Sequence, residues 1–325
     1  MSTIENAPAA KEHKKTIAET MLELEEVDKD LYQSKKLWIP VSGKKAFGGN
    51  IIGLALRAAT MTVSNEFQAH SLHSYFLSTA GPDAPVMFHV DRIRDGNSIC
   101  TRSVTARQQG KDIYICTVSF QVPRPDAPNH YDPMPDVPHH SVLKTYEESM
   151  QSYIEDSSTP KSLTRYFKVM LNEPVPHDFK FTNRQTFKDF MNPPASKQQN
   201  FWIRCKGQLG DDLALHQSVL AYESDVNLLD TTAVTYGGSW LTNVGPDPII
   251  KTILSVDHSM WFHCPFRADE WMLYVCDSTR YGSNRGLVFG RIYKEDGTLS
   301  VTVAQEGTVK LRNSDSSTAV VQSKL

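Results

Sequence analysis

The sequence holds two versions of one segment, and this constrains the fold more than any other feature. Residues 70–122 contain HSLHSYFL and RDGNSICTRSVTARQQGKDIYICTVSFQV, and residues 257–309 contain DHSMWF and RYGSNRGLVFGRIYKEDGTLSVTVAQEGTV. Gly96 matches Gly282 and Ile113 matches Leu299 at one constant shift, and His73 matches His258 one residue short of it. A repeat this long denotes two copies of a supersecondary unit, not a short solenoid repeat. The 325 residues suffice for two such units of ordinary domain size.

Each copy reads as a helix followed by long strands. Phe47-Gly48-Gly49-Asn50 is a turn that opens the helix IIGLALRAATMTV, which is apolar almost all round and so must be buried on most sides. Strand-like runs follow at 69–79, 86–94, 98–108 and 112–122, which suggests an antiparallel sheet wrapped around that helix, an α+β class. The second unit repeats the order with QNFWIRCKGQ, the helix LALHQSVLAYESDVNLL, a loop with Gly237, Gly238 and Pro246, and strands to about 311. Ahead of the first unit, residues 17–31 have the spacing of a short amphipathic helix, with Ile17, Met21, Leu22 and Leu24 on its apolar side. LYQSKKLWIPV is expected to be a strand. The expected division is 1–122 for the first unit with its leading helix, 123–165 for a linker with one helix (TYEESMQSYIED), and 166–325 for the second unit and a tail.

Composition excludes several classes. The apolar content of 40% is adequate for a core, and a formal net charge of −3 gives no case for a nucleic-acid surface. No run is long enough to span a membrane, and the polar N-terminus is not a signal peptide. The five cysteines, without a C-x-x-C pair, read as reduced thiols in an intracellular compartment with no metal site. No nucleotide phosphate loop is present. The chain ends Ser323-Lys324-Leu325 on a polar tail, the form of a peroxisomal address read by an import receptor.

Three polar residues of the second unit break a local pattern. On a helix Asp225 shares a stripe with Ala221, Leu228 and Leu229, which puts a carboxylate on an apolar face, where it needs donors or a raised pKa. The alternative is a helix end with Asp225 turned to solvent. Gln305 follows Leu299, Val301 and Val303 on one strand face and points inward if the strand runs straight; the alternative is a strand end beside a bulge at Glu306-Gly307. Ser255 shares a strand face with Ile253 and Asp257, and no G-x-S-x-G elbow surrounds it. The first unit has Ser119 where the second has Gln305, and its helix lacks an acid, so any such arrangement occurs once per chain. His258 and His263 face opposite sides of a strand and read as structural, while His139 and His140 read as a solvated loop pair.

FGGNIIGLALRAA, HSLHSYFL, RDGNSICTRSV, SDVNLL, DHSMWFH and AQEG, in this order across both halves, resemble the acyl-CoA thioesterase II family. With the S-K-L end, the chain is most similar to that family's peroxisomal members. The resemblance implies a double hotdog, in which each half wraps an antiparallel sheet around a central helix. It also implies that Asp225, Ser255 and Gln305 are catalytic, with serine where bacterial members often carry threonine. The implied reaction is hydrolysis of acyl-CoA to fatty acid and CoA by an activated water, with no cofactor. A homo-oligomer is the default by symmetry. The competing readings are an enoyl-CoA hydratase, for which the residues after Asp225 offer no histidine, and a non-catalytic acyl-CoA-binding module.

Overall fold

The computed structural model describes residues 14–40, 43–124, 128–157, 159–183, 196–238 and 249–312. The first half contains α1 (Ile17–Met21), β1 (Leu24–Asp28), β2 (Leu31–Ser34), α2 (Gly48–Thr60), β3 (Gln68–Phe76), β4 (Met87–Asp95), β5 (Ile99–Gln108) and β6 (Lys111–Gln121). Two helices follow, α3 (Tyr146–Glu155) and α4 (Lys161–Leu171). The second half contains β7 (His177–Phe181), β8 (Gln198–Cys205), α5 (Leu213–Glu223), α6 (Asp230–Val234), β9 (Ile250–Ser255), β10 (Asp257–Phe262), β11 (Met272–Gly282), β12 (Arg285–Lys294) and β13 (Leu299–Leu311).

The strands form one antiparallel sheet in the order β1-β2-β4-β5-β6-β3-β10-β13-β12-β11-β8-β7, with β9 added on β13. The order is a palindrome about the β3–β10 pair, so the sequence repeat is a spatial repeat. The repeated histidine strings meet there: Ser259 pairs with His73 and His258 with Ser74. Ser74 Oγ donates to the His258 carbonyl at 2.7 Å, and His73 Nδ1 lies 3.0 Å from Ser259 Oγ. Two-residue turns with left-handed backbone, Gln109-Gly110 and Ser283-Asn284, close the matching β5–β6 and β11–β12 hairpins.

The two central helices lie against each other inside the sheet. In α2, Ile52, Leu54, Ala55, Leu56, Ala58 and Ala59 are fully buried, as its unbroken apolar surface requires. A β-carbon on Gly53 would stand 2.8 Å from the Ser218 carbonyl, and one on Gly49 2.2 Å from that of Tyr222. Glycine at these positions lets the backbones of α2 and α5 touch. The contacts run in opposite senses, which sets the N-terminus of α2 beside the C-terminus of α5.

Four expectations need correction. The helix expected over 17–31 stops at Met21, where a Thr16–Glu19 capping box starts only five residues of helix. A helix so short gains little by itself, and the rest of the segment forms β1, which a turn at Asp30, with φ of 57°, joins to β2; the pair extends the sheet through β4. The connector holds a second helix, α4, where one was expected; Pro160 caps it, and Leu163, Phe167 and Met170 form its buried stripe. The strand through Ser255 breaks at Val256, so Ser255 ends β9 and Asp257 begins β10. His139 and His140 are not merely solvated: both ring Nε2 atoms lie near Glu295 Oε1, at 2.8 and 3.0 Å, and His140 stacks on Trp271. They hold the connector to the β12–β13 hairpin.

The five cysteines are all free thiols, and among the described residues no helix is long and apolar enough to cross a membrane. Ser323, Lys324 and Leu325 lie outside the described residues, as does Pro246.

Candidate active site

Asp225 does not sit on a helical stripe. Helix α5 ends at Glu223 with Ser224 as its C-cap, and Asp225 follows in a tight turn that Asn227 completes with φ of 57°. Nor does it turn out to bulk solvent. It points at the first turn of α2 in the other half, where the Gly49 amide donates to its carboxyl. A β-carbon on Gly48 would lie 2.7 Å from Asp225 Oδ2. Gly48 and Gly49 therefore belong to the site. Sequence pattern marks them only as turn punctuation, because the group they make room for comes from the other unit.

Gln305 lies on β13, which runs straight through Glu306 and Gly307 to Leu311 without a bulge there, so its side chain is fully buried. Its Nε2 donates to Asp225 Oδ1 at 2.7 Å and to Ser255 Oγ at 3.0 Å. Ser255 arrives from β9, paired with Gly307 two residues along β13, and its hydroxyl donates weakly to Asp225 Oδ1 at 3.4 Å. The structure thus brings together all three residues singled out by pattern. It also divides them. Asp225 and Ser255 line a cavity of about 440 Å³, whereas Gln305 is not part of its wall. The amide stands behind the pair and holds both.

Burial raises the Asp225 pKa above the usual carboxylate value, against the opposing pull of hydrogen bonds from Gln305, the Gly49 amide and Ser255. The residue is only half-buried, since it keeps contact with solvent through the cavity. Phe47, Ile51, Phe76, Leu229, Ile253 and Leu254 form the cavity's apolar walls, drawn from both halves. A carboxylate with raised basicity, a hydroxyl and an apolar chamber can hold a water beside an apolar ester.

A second layer fixes this geometry. Asp257 Oδ1 accepts from the Glu306 amide at 2.7 Å and so anchors β13 next to Gln305. Tyr274 Oη donates to the Ser224 carbonyl at 2.7 Å, and His258 Nε2 lies 2.9 Å from Ser224 Oγ. His258 is thus close to Asp225 in space, although no histidine is close in sequence. It is fully buried, burial lowers its pKa to about 3, and it does not line the cavity. The hydroxyl of Ser119, the counterpart of Gln305, lies 2.8 Å from His70 Nε2. His263 lies one residue past the end of β10, not on its other face as expected, and its Nε2 is 2.8 Å from Thr302 Oγ1.

Comparison with known proteins agrees across both halves. A family model described as acyl-CoA thioesterase matches residues 170–308, and one described as acyl-CoA thioesterase N-terminal domain matches residues 36–121. Acyl-coenzyme A thioesterase 8 of Mus musculus is 40% identical over 294 residues, covering 90% of this chain and 88% of that one. Peroxisomal acyl-coenzyme A thioester hydrolase 1 of Saccharomyces cerevisiae is 23% identical, covering 83% of this chain and 87% of its own. Among solved structures, an acyl-CoA thioesterase II of Mycobacterium marinum superposes with a TM-score of 0.68 at 31% identity, covering 91% of this chain and 98% of that one. An α+β double hotdog whose two halves match the two domains of one family, and whose length is shared with a 40% identical relative, leads to one assignment: the chain belongs to the acyl-CoA thioesterase family, whose members hydrolyse thioesters.

Proposed function

We propose that Asp225 is the general base of this thioesterase, with Ser255 positioning the water and Gln305 positioning both. The carrying observation is that Gln305 Nε2 bridges Asp225 Oδ1 and Ser255 Oγ at 2.7 and 3.0 Å beside an apolar cavity. The carboxylate takes a proton from water as the water oxygen attacks the thioester carbonyl. The tetrahedral intermediate collapses with cleavage of the C–S bond, and the proton returns to the CoA sulfur. Fatty acid and CoA leave, and Asp225 is again a carboxylate. Amides in the first turn of α2, at Gly48 on the cavity wall, suit the developing oxyanion, since the first amides of a helix have no intrahelical acceptor. Ser255 is not the nucleophile in this scheme: its hydroxyl reaches Asp225 Oδ1 only at a weak 3.4 Å, and it accepts from Gln305 Nε2 at 3.0 Å.

The setting we propose is peroxisomal fatty-acid metabolism, with the C-terminal Ser323-Lys324-Leu325 bound by the import receptor. The name of the yeast relative supports it.

The test is thiol release from acyl-CoA, followed with a thiol reagent. Asp225→Asn is expected to lower the rate at least about tenfold, on the magnitude of positioned general-base catalysis, with the fold retained. Full rate in that variant refutes the role. A change in the double bond of an enoyl-CoA without release of CoA, or binding without turnover, would favour the hydratase or the binding module.

A further inference from the structure

The cavity beside Asp225 has walls of two kinds: Leu229, Ile253 and Leu254 of the second half are apolar, and Lys45, Ser78 and Thr79 of the first half are polar. Those same three residues also line a second recess, of about 310 Å³. This recess is also lined by Gly81, Gln108, Gln109 and Lys111, and it has Lys45, Ser78 and Thr79 as a common wall with the catalytic cavity. The loop that forms it is firmly built. Gln108 accepts from the Gly81 amide at 2.8 Å and donates to the Gly81 and Ala84 carbonyls at 2.9 and 2.6 Å. The Ala46 amide donates to the Ala80 carbonyl, which ties Lys45's neighbour to the same loop.

The charges in the recess are two exposed lysines, Lys45 and Lys111, and one exposed aspartate, Asp83. Asp112, the carboxylate next to Lys111, is engaged by Arg107 at 2.6 Å. The balance favours an anion.

An acyl-CoA is a thioester with one apolar arm and one polar arm that ends in phosphates. Its two arms must leave the reacting carbonyl in different directions. We infer that CoA lies in the Lys45–Lys111 recess, with its amide-bearing arm along Ser78 and Thr79 and its phosphates at the two lysines. The acyl chain then runs toward Leu229, Ile253 and Leu254. This rests on the Asp225 site proposed above.

The experiment compares two esters of one acyl chain, dodecanoyl-CoA and the dodecanoyl thioester of N-acetylcysteamine, which lacks the phosphates and the adenosine. Lys111→Glu and Lys45→Glu are each expected to lower kcat/KM for the CoA ester about tenfold relative to the truncated ester, mainly through KM, as for a partly screened charge contact. In the unaltered enzyme, added salt is expected to raise KM for the CoA ester and not for the truncated one, and adenosine 3′,5′-bisphosphate is expected to compete with the CoA ester. A parallel fall for both esters, or no fall for either, overturns the placement. So does an absence of salt dependence in the unaltered enzyme, which needs no variant to fold. Failure of the Asp225 role is a different result: Asp225→Asn would then turn over both esters at full rate.

Discussion

Gly48 faces Asp225 so closely that a β-carbon on it would stand 2.7 Å from the carboxylate oxygen. A helix in one half thus starts against the acid supplied by the other, and glycine at that position is a matter of space. Gly48→Ala must push either the carboxyl or the first turn of α2 aside. Displacement of a reacting group by about 1 Å can cost on the order of a hundredfold in rate. We expect Gly48→Ala to lower kcat by about that factor while the melting temperature moves by only a few degrees. An alanine variant with unchanged kcat would show that the carboxyl has freedom the packing does not suggest.

Gln305 tests the coupling between the acid and its support. Replacing its amide with a carboxyl, Gln305→Glu, sets two acids within hydrogen-bond reach, and like charges so close share a proton. The acid limb of the kcat/KM profile in the unaltered enzyme is expected to lie above the ordinary aspartate range of about 3.9, because burial raises Asp225. In Gln305→Glu the limb should move higher still. Gln305→Ala should lower kcat at least about tenfold, and because it removes a hydrogen bond that holds the Asp225 pKa down, its limb should also move up, by less than in Gln305→Glu. Identical pH profiles in all three proteins would contradict the pairing.

Much of this site is legible in the sequence, and what is not has physical causes. The α2 run and the four strands after it show because burial on most sides, or on alternate sides, writes a period into the chain. Asp225 and Gln305 stand out because a polar group on an apolar stripe is costly and so invites explanation. Asp225 nonetheless lies off that stripe, since α5 ends two residues before it. Gly48 and Gly49 escape notice because their constraint is a contact with the other half. Helix α4 is hidden by Pro160, which reads as a breaker but starts the helix. Tyr274 carries no local signal, and His258 reads only as a structural histidine. The meaning of each depends on reaching Ser224.

Tyr274 gives a test of that second layer. Its hydroxyl satisfies the Ser224 carbonyl at the end of α5, one residue before Asp225. Tyr274→Phe keeps the ring and leaves the carbonyl without this donor, at a cost of about 1–3 kcal/mol. The turn that aims Asp225 should loosen, so kcat is expected to fall several-fold with KM little changed, and the chain should unfold at lower denaturant. If stability falls and kcat does not, Tyr274 supports the fold alone.

Glu223 gives a test of stability with a definite sign. It is 1% exposed, and neither carboxyl oxygen has a hydrogen-bond partner among the described residues. Burial raises its pKa well above the ordinary value, and Asp178 and Asp269 add to the rise. The folded state therefore binds this proton more tightly than the unfolded chain does. The resulting stability is fully present below the unfolded pKa, near 4.3, and is lost as pH climbs through the folded pKa. Glu223→Gln removes the proton linkage and keeps the shape. Its melting temperature should exceed that of the unaltered protein, by a margin that widens from acid toward alkaline pH until Glu223 is fully ionised. Because Glu223 does not line the cavity, the gain should appear in differential scanning calorimetry across pH whether or not catalysis changes. A margin that stays constant with pH would mean that the buried carboxyl finds a charge partner in solution and carries no such penalty.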